Sequence, residues 1–381
     1  MYMNSFLETR IQDALRSYLG YPCNLSYDYS ELFGTFRYCL NNVGDIWSTG
    51  IYKAHTKDVE KDVLKYFAEL WGIDPENTWG YTTSGSTEAN MEGVYVGRTL
   101  FPDAVLYASQ DCHYSIVKIA RLLRVEFCEV DSDENGEMNY KSFEQCLSRF
   151  PGRPAIIVAN LGTTMKGAID DSREIYRIIR KMKMEKQYYL HVDGALSGFV
   201  IPFIQEDLMF KNHIHSISVS GHKFLGIPFC CGIYMMDKRL LSLIKNEIEY
   251  IGSSDTTILG SRNGHSPLFF KYIIDKKGSD GFKKDVKKCF ELAEYLTNRL
   301  NEVAEFEANA WRNQNSITIV FKKPSESIVD KWQLATQGDI AHVIVMPHVT
   351  KELLDQFLTD IRASVGASAS CQTLLAPDVL A

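Results

Sequence analysis

Six short apolar runs through the middle of the chain constrain its fold more than any other feature. They are AVLYA (104–108), VEFCEV (125–130), AIIVA (155–159), YYLHV (188–192), SISVS (216–220) and GIYMM (232–236), with helical stretches between them. Each is about as long as a typical buried strand, and most are followed by polar or small residues. Runs that are apolar along most of their length, rather than alternating, have to be covered on both faces. Such strands separated by helices predict an α/β architecture, a mainly parallel sheet sandwiched by helices.

The rhythm differs at both ends. Residues 1–55 are aromatic and irregular, with turn signals at Gly20-Tyr21-Pro22 and Gly44-Asp45, and read as an arm that packs on something else. Residues 58–71 place Val59, Val63, Phe67 and Leu70 at helical spacing near the start of a large domain, 56–265. Beyond it, a long helical stretch (279–304) leads to SITIVF (316–321), a helix near 326–335, IAHVIVM (340–346) and a helix at 350–362. That order predicts a small α+β domain over 266–362. The tail, 363–381, is rich in Ala and Ser and is expected to be poorly ordered or a packed extension.

Composition removes several classes of function. An apolar fraction of 45% with 23% charged residues excludes disorder for the bulk of the 381 residues. A net charge of −7 disfavours a general nucleic-acid binder, which needs clustered Lys and Arg; the run KMKMEK (181–186) reads as a solvated helix end. No apolar stretch approaches the ~20 residues that span a bilayer, and MYMNSFLETR lacks the basic flank and apolar core of a signal peptide. The nine cysteines form no CxxC pair, so neither a zinc knuckle nor a disulfide framework is expected. The reading is a cytoplasmic protein with reduced thiols, no metal and no membrane or nucleic-acid partner.

In an open parallel sheet, ligands sit beyond the C-terminal strand ends. After Tyr81-Thr82-Thr83 comes SGSTEAN (84–90), small residues opening a helix whose N-terminus suits a phosphate, although an ordinary helix cap reads the same way. AVLYAS is followed by His113, which taken alone is more simply a structural histidine. AIIVAN is followed by Leu161-Gly162-Thr163-Thr164, and YYLHV by Asp193, an acid that is costly to bury without a cation or strong donor. SISVS is followed by Gly221-His222-Lys223. A lysine, a buried acid, a flat imidazole and a phosphate cradle on one sheet edge match the needs of pyridoxal 5′-phosphate. The competing motifs GxSxG, GxGxxG, GxxxxGK[ST] and HExxH are all missing.

At WGYTTSGSTEAN, HYS, NLGTTMKGAIDD, HVDGALSG, SVSGHKFLG, GSRNGH and GDIAHVIVMP the chain resembles the group II pyridoxal-phosphate amino-acid decarboxylases, within them the bacterial histidine and plant serine decarboxylases. The resemblance runs from about Gly20 to Ile361. It implies the fold-type I, aspartate aminotransferase-like architecture: a mainly parallel seven-stranded sheet, a small α+β C-terminal domain, and a homodimer with its active site at the interface. It further implies Lys223 as the residue bonded to the cofactor aldehyde, Asp193 on the ring nitrogen and His113 on the ring face. Ser86, Thr87, Ser220 and His222 would hold the phosphate, Thr163 would lie beside the cofactor, and Gly260 and Ser261 would reach the partner's phosphate. The segment YIGSSDTTIL (250–259) looks like a loop that closes over the site, with His113 and Tyr250 as candidate proton donors. AWRNQNSITIVFKKPSE (310–326) resembles the histidine enzymes, with Ser316 at the substrate. The pair Tyr52 and His55, with KWQLATQGDIAHVIVMP, resembles the serine enzymes more. Decarboxylation of histidine to histamine is the expected reaction; serine to ethanolamine is the alternative, and another fold-type I enzyme, an aminotransferase or lyase, the second.

Overall fold

A computed structural model describes residues 5–48, 50–204 and 213–373. By residue contacts it divides into one unit of Cys23–Val286 and another that joins Met1–Pro22 to Lys287–Ala381.

The larger unit is built on a seven-stranded sheet. Its strands are β1 (Thr78–Thr83), β2 (Val105–Ser109), β3 (Glu126–Val130), β4 (Ala155–Asn160), β5 (Tyr188–Asp193), β6 (Ser216–Ser220) and β7 (Gly232–Asp237), in the order β1-β7-β6-β5-β4-β2-β3. All six apolar runs became strands. The pairs from β3 across to β6 are parallel, whereas β7 is antiparallel to both β6 and β1. The reversal is topological. A short connection, 221–231, joins β6 to β7 without a crossover helix, so the chain doubles back. That connection carries Lys223.

Helices cover the sheet as the buried strands require. They are α2 (Lys57–Leu70), α3 (Ser86–Leu100), α4 (Ser115–Leu122), α5 (Tyr140–Ser148), α6 (Ser172–Lys181) and α7 (Ser197–Val200), following α1 (Ser5–Leu15) of the other unit. Helix α3 packs on β5, β6 and β7, and α2 on β1. The buried face of α2 is rotated from the expected one: it carries Lys57, Glu60, Val63, Leu64, Phe67 and Ala68, while Val59 and Leu70 stay half-exposed. Partnered polar groups sit inside, which hydrophobic periodicity cannot show. A two-stranded hairpin, β8 (Asn246–Ile248) with β9 (Ser253–Asp255), follows the main sheet. Next comes α8 (His265–Asn301), kinked at Gly278, whose φ of 61° is open to glycine.

The division between units falls inside α8 rather than at 265. The first half of α8 buries Phe269, Phe270 and Phe282, with Phe270 against Phe67 and Phe282 against Phe199, so it belongs to the sheet unit. The expected arm of 1–55 is divided too. Residues 23–55 lie in the sheet unit, whereas Leu19 exchanges backbone hydrogen bonds with Trp332 and Ile344 of the smaller unit. That unit holds an antiparallel sheet, β10 (Thr318–Lys322), β11 (Ala335–Gln337) and β12 (Ile340–Ile344), in the order β10-β12-β11, with α9 (Glu326–Trp332) and α10 (Lys351–Thr373). Helix α10 runs past 362 into the Ala/Ser-rich stretch, since neither residue breaks a helix. Residues 374–381 of the tail lie outside the described residues.

Candidate active site

The C-terminal ends of β1, β4, β5 and β6 bring the chemistry together. At the end of β1 the chain turns through Gly85, whose φ of +129° disfavours other residues, into the first turn of α3. No side chain caps that helix, so its leading N–H groups face outward. Ser86 in this first turn and Ser220 at the end of β6 are buried, with their hydroxyls 2.7 Å apart. A Cβ on Gly85 would lie 3.6 Å from His222 Cε1. The missing side chain therefore leaves room between helix terminus and imidazole. His222 Nδ1 lies 3.0 Å from the Cys231 carbonyl and donates to it. Two serine hydroxyls, an uncapped helix N-terminus and that room suit a phosphate monoester. Thr87 stands beside them with its side chain exposed.

Lys223 follows directly. Its backbone carbonyl accepts from Asn24 and Gly226, which fixes the turn. Its side chain keeps some exposed surface, yet protein crowds it, and this desolvation lowers its proton affinity below the usual lysine range, with Asp193 pulling the other way. A lysine with weakened proton affinity is the amine a carbonyl group needs.

Asp193 ends β5 and is 7% exposed. Its Oδ2 accepts from the Asn90 amide at 2.7 Å and its Oδ1 from the Ala195 N–H at 3.1 Å. Asn90 also meets Ser218 at 2.6 Å and His191 at 2.9 Å. His191 is fully buried, which pushes its pKa down to about 4 and keeps it neutral.

His113 opens α4. Its Nδ1 lies 2.7 Å from Ser115 Oγ and accepts the Ser115 N–H at 3.3 Å, so its ring proton sits on Nε2. Burial lowers its pKa, Asp193 raises it and Lys223 lowers it, which places these three groups in one electrostatic neighbourhood. Thr163 is buried, but its hydroxyl is engaged by the Ala168 N–H at 3.0 Å, shaping the loop that follows β4. Asp170, on that loop, accepts from Asn160 and Met138, and its burial raises its pKa to about 6.

Among the described residues, Tyr52, His55, Tyr250, Gly260 and Ser261 share no hydrogen bond with this group. Tyr52 and Tyr250 are exposed, and His55 is half-buried. The Tyr52 hydroxyl donates to the Cys39 carbonyl. Gly260 and Ser261 are exposed, with Asn41 donating to Ser261 at 3.1 Å. Ser316 belongs to the smaller unit, where its hydroxyl accepts the Thr318 N–H at 3.0 Å. The expected closing loop, 250–259, is tied down at three points in this structure. Ser253–Asp255 pairs as β9, Thr256 donates to Asp45 at 3.2 Å, and the Ile258 N–H bonds Glu92 at 3.1 Å. Its small residues serve close packing and local hydrogen bonds.

Two residues of this neighbourhood escaped the sequence reading: Asn90 and His191. Both left a signal. Asn90 lies four residues after Ser86 on the same helical face, and His191 lies two before Asp193 on the same face of β5.

A lysine at the β6–β7 turn, an acid ending β5 and a serine-lined helix terminus, on a mostly parallel seven-stranded sheet, define a fold-type I pyridoxal-phosphate enzyme. The model of the pyridoxal-dependent decarboxylase conserved domain matches residues 40–323, and the chain belongs to that family of amino-acid decarboxylases. It is 42% identical to serine decarboxylase 1 of Oryza sativa subsp. japonica, over 96% of this chain and 76% of that protein. It is 41% identical to the histidine decarboxylase of Vibrio campbellii, over 90% of this chain and 89% of the relative. A crystal structure of L-methionine decarboxylase from Streptomyces sp. 590 superposes with a TM-score of 0.83 at 26% identity, covering 96% of each chain.

Proposed function

We propose that this decarboxylase acts on histidine, releasing CO₂ and histamine, with Lys223, Asp193 and His113 at the cofactor. The observation that carries the site is that Asp193 ends β5 and Lys223 follows the end of the adjacent parallel strand β6, with burial and neighbouring charge shifting the proton affinities of Lys223 and His113. Bound there, pyridoxal phosphate supplies an electron sink for the pair left behind when CO₂ departs. Lys223, with its proton affinity weakened by burial, is the amine that carries the cofactor and yields it to the substrate amine. Asp193 holds the ring nitrogen. His113, with its proton on Nε2, would lie on the ring face. Ser86, Thr87, Ser220 and His222 receive the phosphate, and Thr163 shapes the neighbouring wall. The proton returned to Cα would come from His113 or, if the exposed segment that bears it reaches a site, from Tyr250.

Histidine as substrate is supported by the stretch 310–326 and by histidine decarboxylases among the relatives. Serine is the second reading, favoured by the 42% identity to a rice serine decarboxylase. In the first reading Ser316 touches the substrate; in the second Tyr52 and His55 do. Incubation with each amino acid, followed by assay for histamine and ethanolamine, separates them. Histamine alone supports the proposal, ethanolamine alone replaces histidine by serine, and neither product removes both. Lys223→Ala should abolish turnover; normal turnover by that variant would end the lysine assignment.

A second copy of the chain completes the site in this reading. Phe33, Phe36, Tyr38, Trp47, Tyr114 and Tyr250 are all exposed on the larger unit, Tyr250 at 84%, and offer apolar surface that a partner would cover. Exposed Gly260 and Ser261 are then placed to serve the partner's phosphate. Sedimentation analysis tests the dimer, and a monomer at micromolar concentration would remove it. Cysteine usage supports cytoplasmic residence, which cell fractionation checks.

A further inference from the structure

Behind Asp193 runs a chain of hydrogen bonds whose direction is fixed by chemistry at its two ends. An ionised carboxylate only accepts, so the Asn90 atom 2.7 Å from Asp193 is the amide nitrogen and the Asn90 oxygen faces the other way. That oxygen accepts from the Ser218 hydroxyl at 2.6 Å and meets His191 Nε2 at 2.9 Å. An oxygen facing Nε2 requires the proton to sit on Nε2. His191 Nδ1 is then the acceptor, and the Ser216 hydroxyl, 2.7 Å away, donates to it. The Ser216 oxygen accepts from the Tyr189 hydroxyl at 2.7 Å. Every bond therefore points the same way, from Tyr189 through Ser216, His191 and Asn90 to Asp193. None of Tyr189, Ser216, Ser218, His191 and Asn90 exceeds 3% exposure, so water does not compete for the chain.

The packing leaves the ring no other place. A Cβ on Gly93 would lie 2.4 Å from His191 Nδ1, and one on Gly97 would lie 2.9 Å from the Tyr189 ring. Helix α3 can approach the sheet only because both positions are glycine. Aligned bonds in a dry interior reinforce one another. Donors that reach a carboxylate from behind fix the direction in which its remaining lone pairs face a ring nitrogen.

We propose that Tyr189, Ser216, His191 and Asn90 form a one-directional positioning chain that holds the Asp193 carboxylate oriented toward the cofactor's ring nitrogen. This rests on the assignment of Asp193 to that nitrogen. The chain's members touch neither substrate nor cofactor; they act through Asp193.

The test uses cofactor labelled with ¹⁵N in its ring, bound to the full-length enzyme, because the nitrogen shift reports ring protonation directly. Cofactor affinity is measured in parallel by titrating the apoenzyme. In His191→Leu the shift should move toward the unprotonated ring and the cofactor should bind about tenfold more weakly, the loss expected for one buried hydrogen bond. His191→Gln, which offers an amide N–H toward Asn90, should recover much of both. If His191→Leu melts like the wild type, binds cofactor as tightly and keeps the wild-type shift, the chain has no such role. Should that variant not fold, Ser216→Ala and Tyr189→Phe each remove a single hydroxyl and serve instead; an unchanged shift in both overturns the proposal. Asp193→Asn is the separate control: if it leaves the ring shift unmoved, the fault lies in the Asp193 assignment itself.

Discussion

Helix α3 carries buried polar groups on two faces, and the two are solved in opposite ways. On one face Asn90, Gly93 and Gly97 meet β5 and β6, where His191, Ser216, Ser218 and Asp193 form a satisfied chain whose one charge is at its end. On the other face Glu88 and Glu92 lie near Tyr81, Ile258 and Arg262. Here Arg262 is ion-paired to a fully buried Glu60 and lies over the Tyr81 ring, and Glu60 also accepts from Thr82 and Asn42. Yet Glu88 Oε1, Glu92 Oε1 and Arg262 Nε have no hydrogen-bond partner among the described residues. The first face orders neutral groups by direction, which fixes orientation at little electrostatic cost. The second balances several charges out of water, so its stability depends on protonation state and on every partner staying in place.

The largest expected effect comes from breaking the charged face. Arg262→Met leaves Glu60 buried with no cation and should destabilise the fold by about 4 kcal/mol, read by denaturant unfolding. A loss below ~1 kcal/mol would mean that the hydrogen bonds from Thr82 and Asn42 suffice for Glu60.

The next effect is a pH dependence. Burial raises the Glu92 pKa to about 8, against the usual 4.5. The folded state then binds more protons than the unfolded one between those values, and stability is lost as pH rises through that window. Glu92→Gln removes the loss, so its advantage in unfolding free energy over the wild type, read by denaturant unfolding, should widen from pH 5 to pH 8, by on the order of 3 kcal/mol. A constant gap would mean that Glu92 is ionised in the folded protein. The neutral face should show the opposite slope. With His191 near 4 folded and 6.5 unfolded, its contribution is complete above 6.5 and is lost as pH falls toward 4.

The smallest expected effect sharpens the directional face. Gly93→Ala forces its methyl into His191 and should cost about 2 kcal/mol. It should also weaken cofactor binding, whereas Gly72→Ala, where a Cβ meets nothing within 4 Å but φ is +65°, should cost stability alone. Equal cofactor affinity in the two variants would show that the helix–sheet approach does not reach Asp193.

Much of the site was legible in the sequence. Lys223, Asp193, His113 and Ser86 each follow a strand, and a polar residue just past an apolar run is a local signal. The strands themselves were legible within a residue or so, because burial on both faces writes a short apolar run. Less legible were features that depend on distant partners. The helical face of α2 was misplaced because Lys57 and Glu60 are buried through contacts with Asp45, Asn42, Thr82 and Arg262. The bonds from segment 250–259 to Asp45 and Glu92 were not legible because both partners are remote in sequence.

The sequence by itself determined that this chain folds as helices on a mainly parallel sheet, with a lysine, an acid and a histidine after strands or at helix starts. Those features follow from local periodicity and the cost of burying charge. Only the tertiary structure decided which polar groups meet: Asn90 with Asp193 across 103 residues, and Glu60 with Arg262 across 202. The direction of a hydrogen bond is set by register and by the depth of helix–sheet approach, and neither quantity is carried by any single stretch of residues.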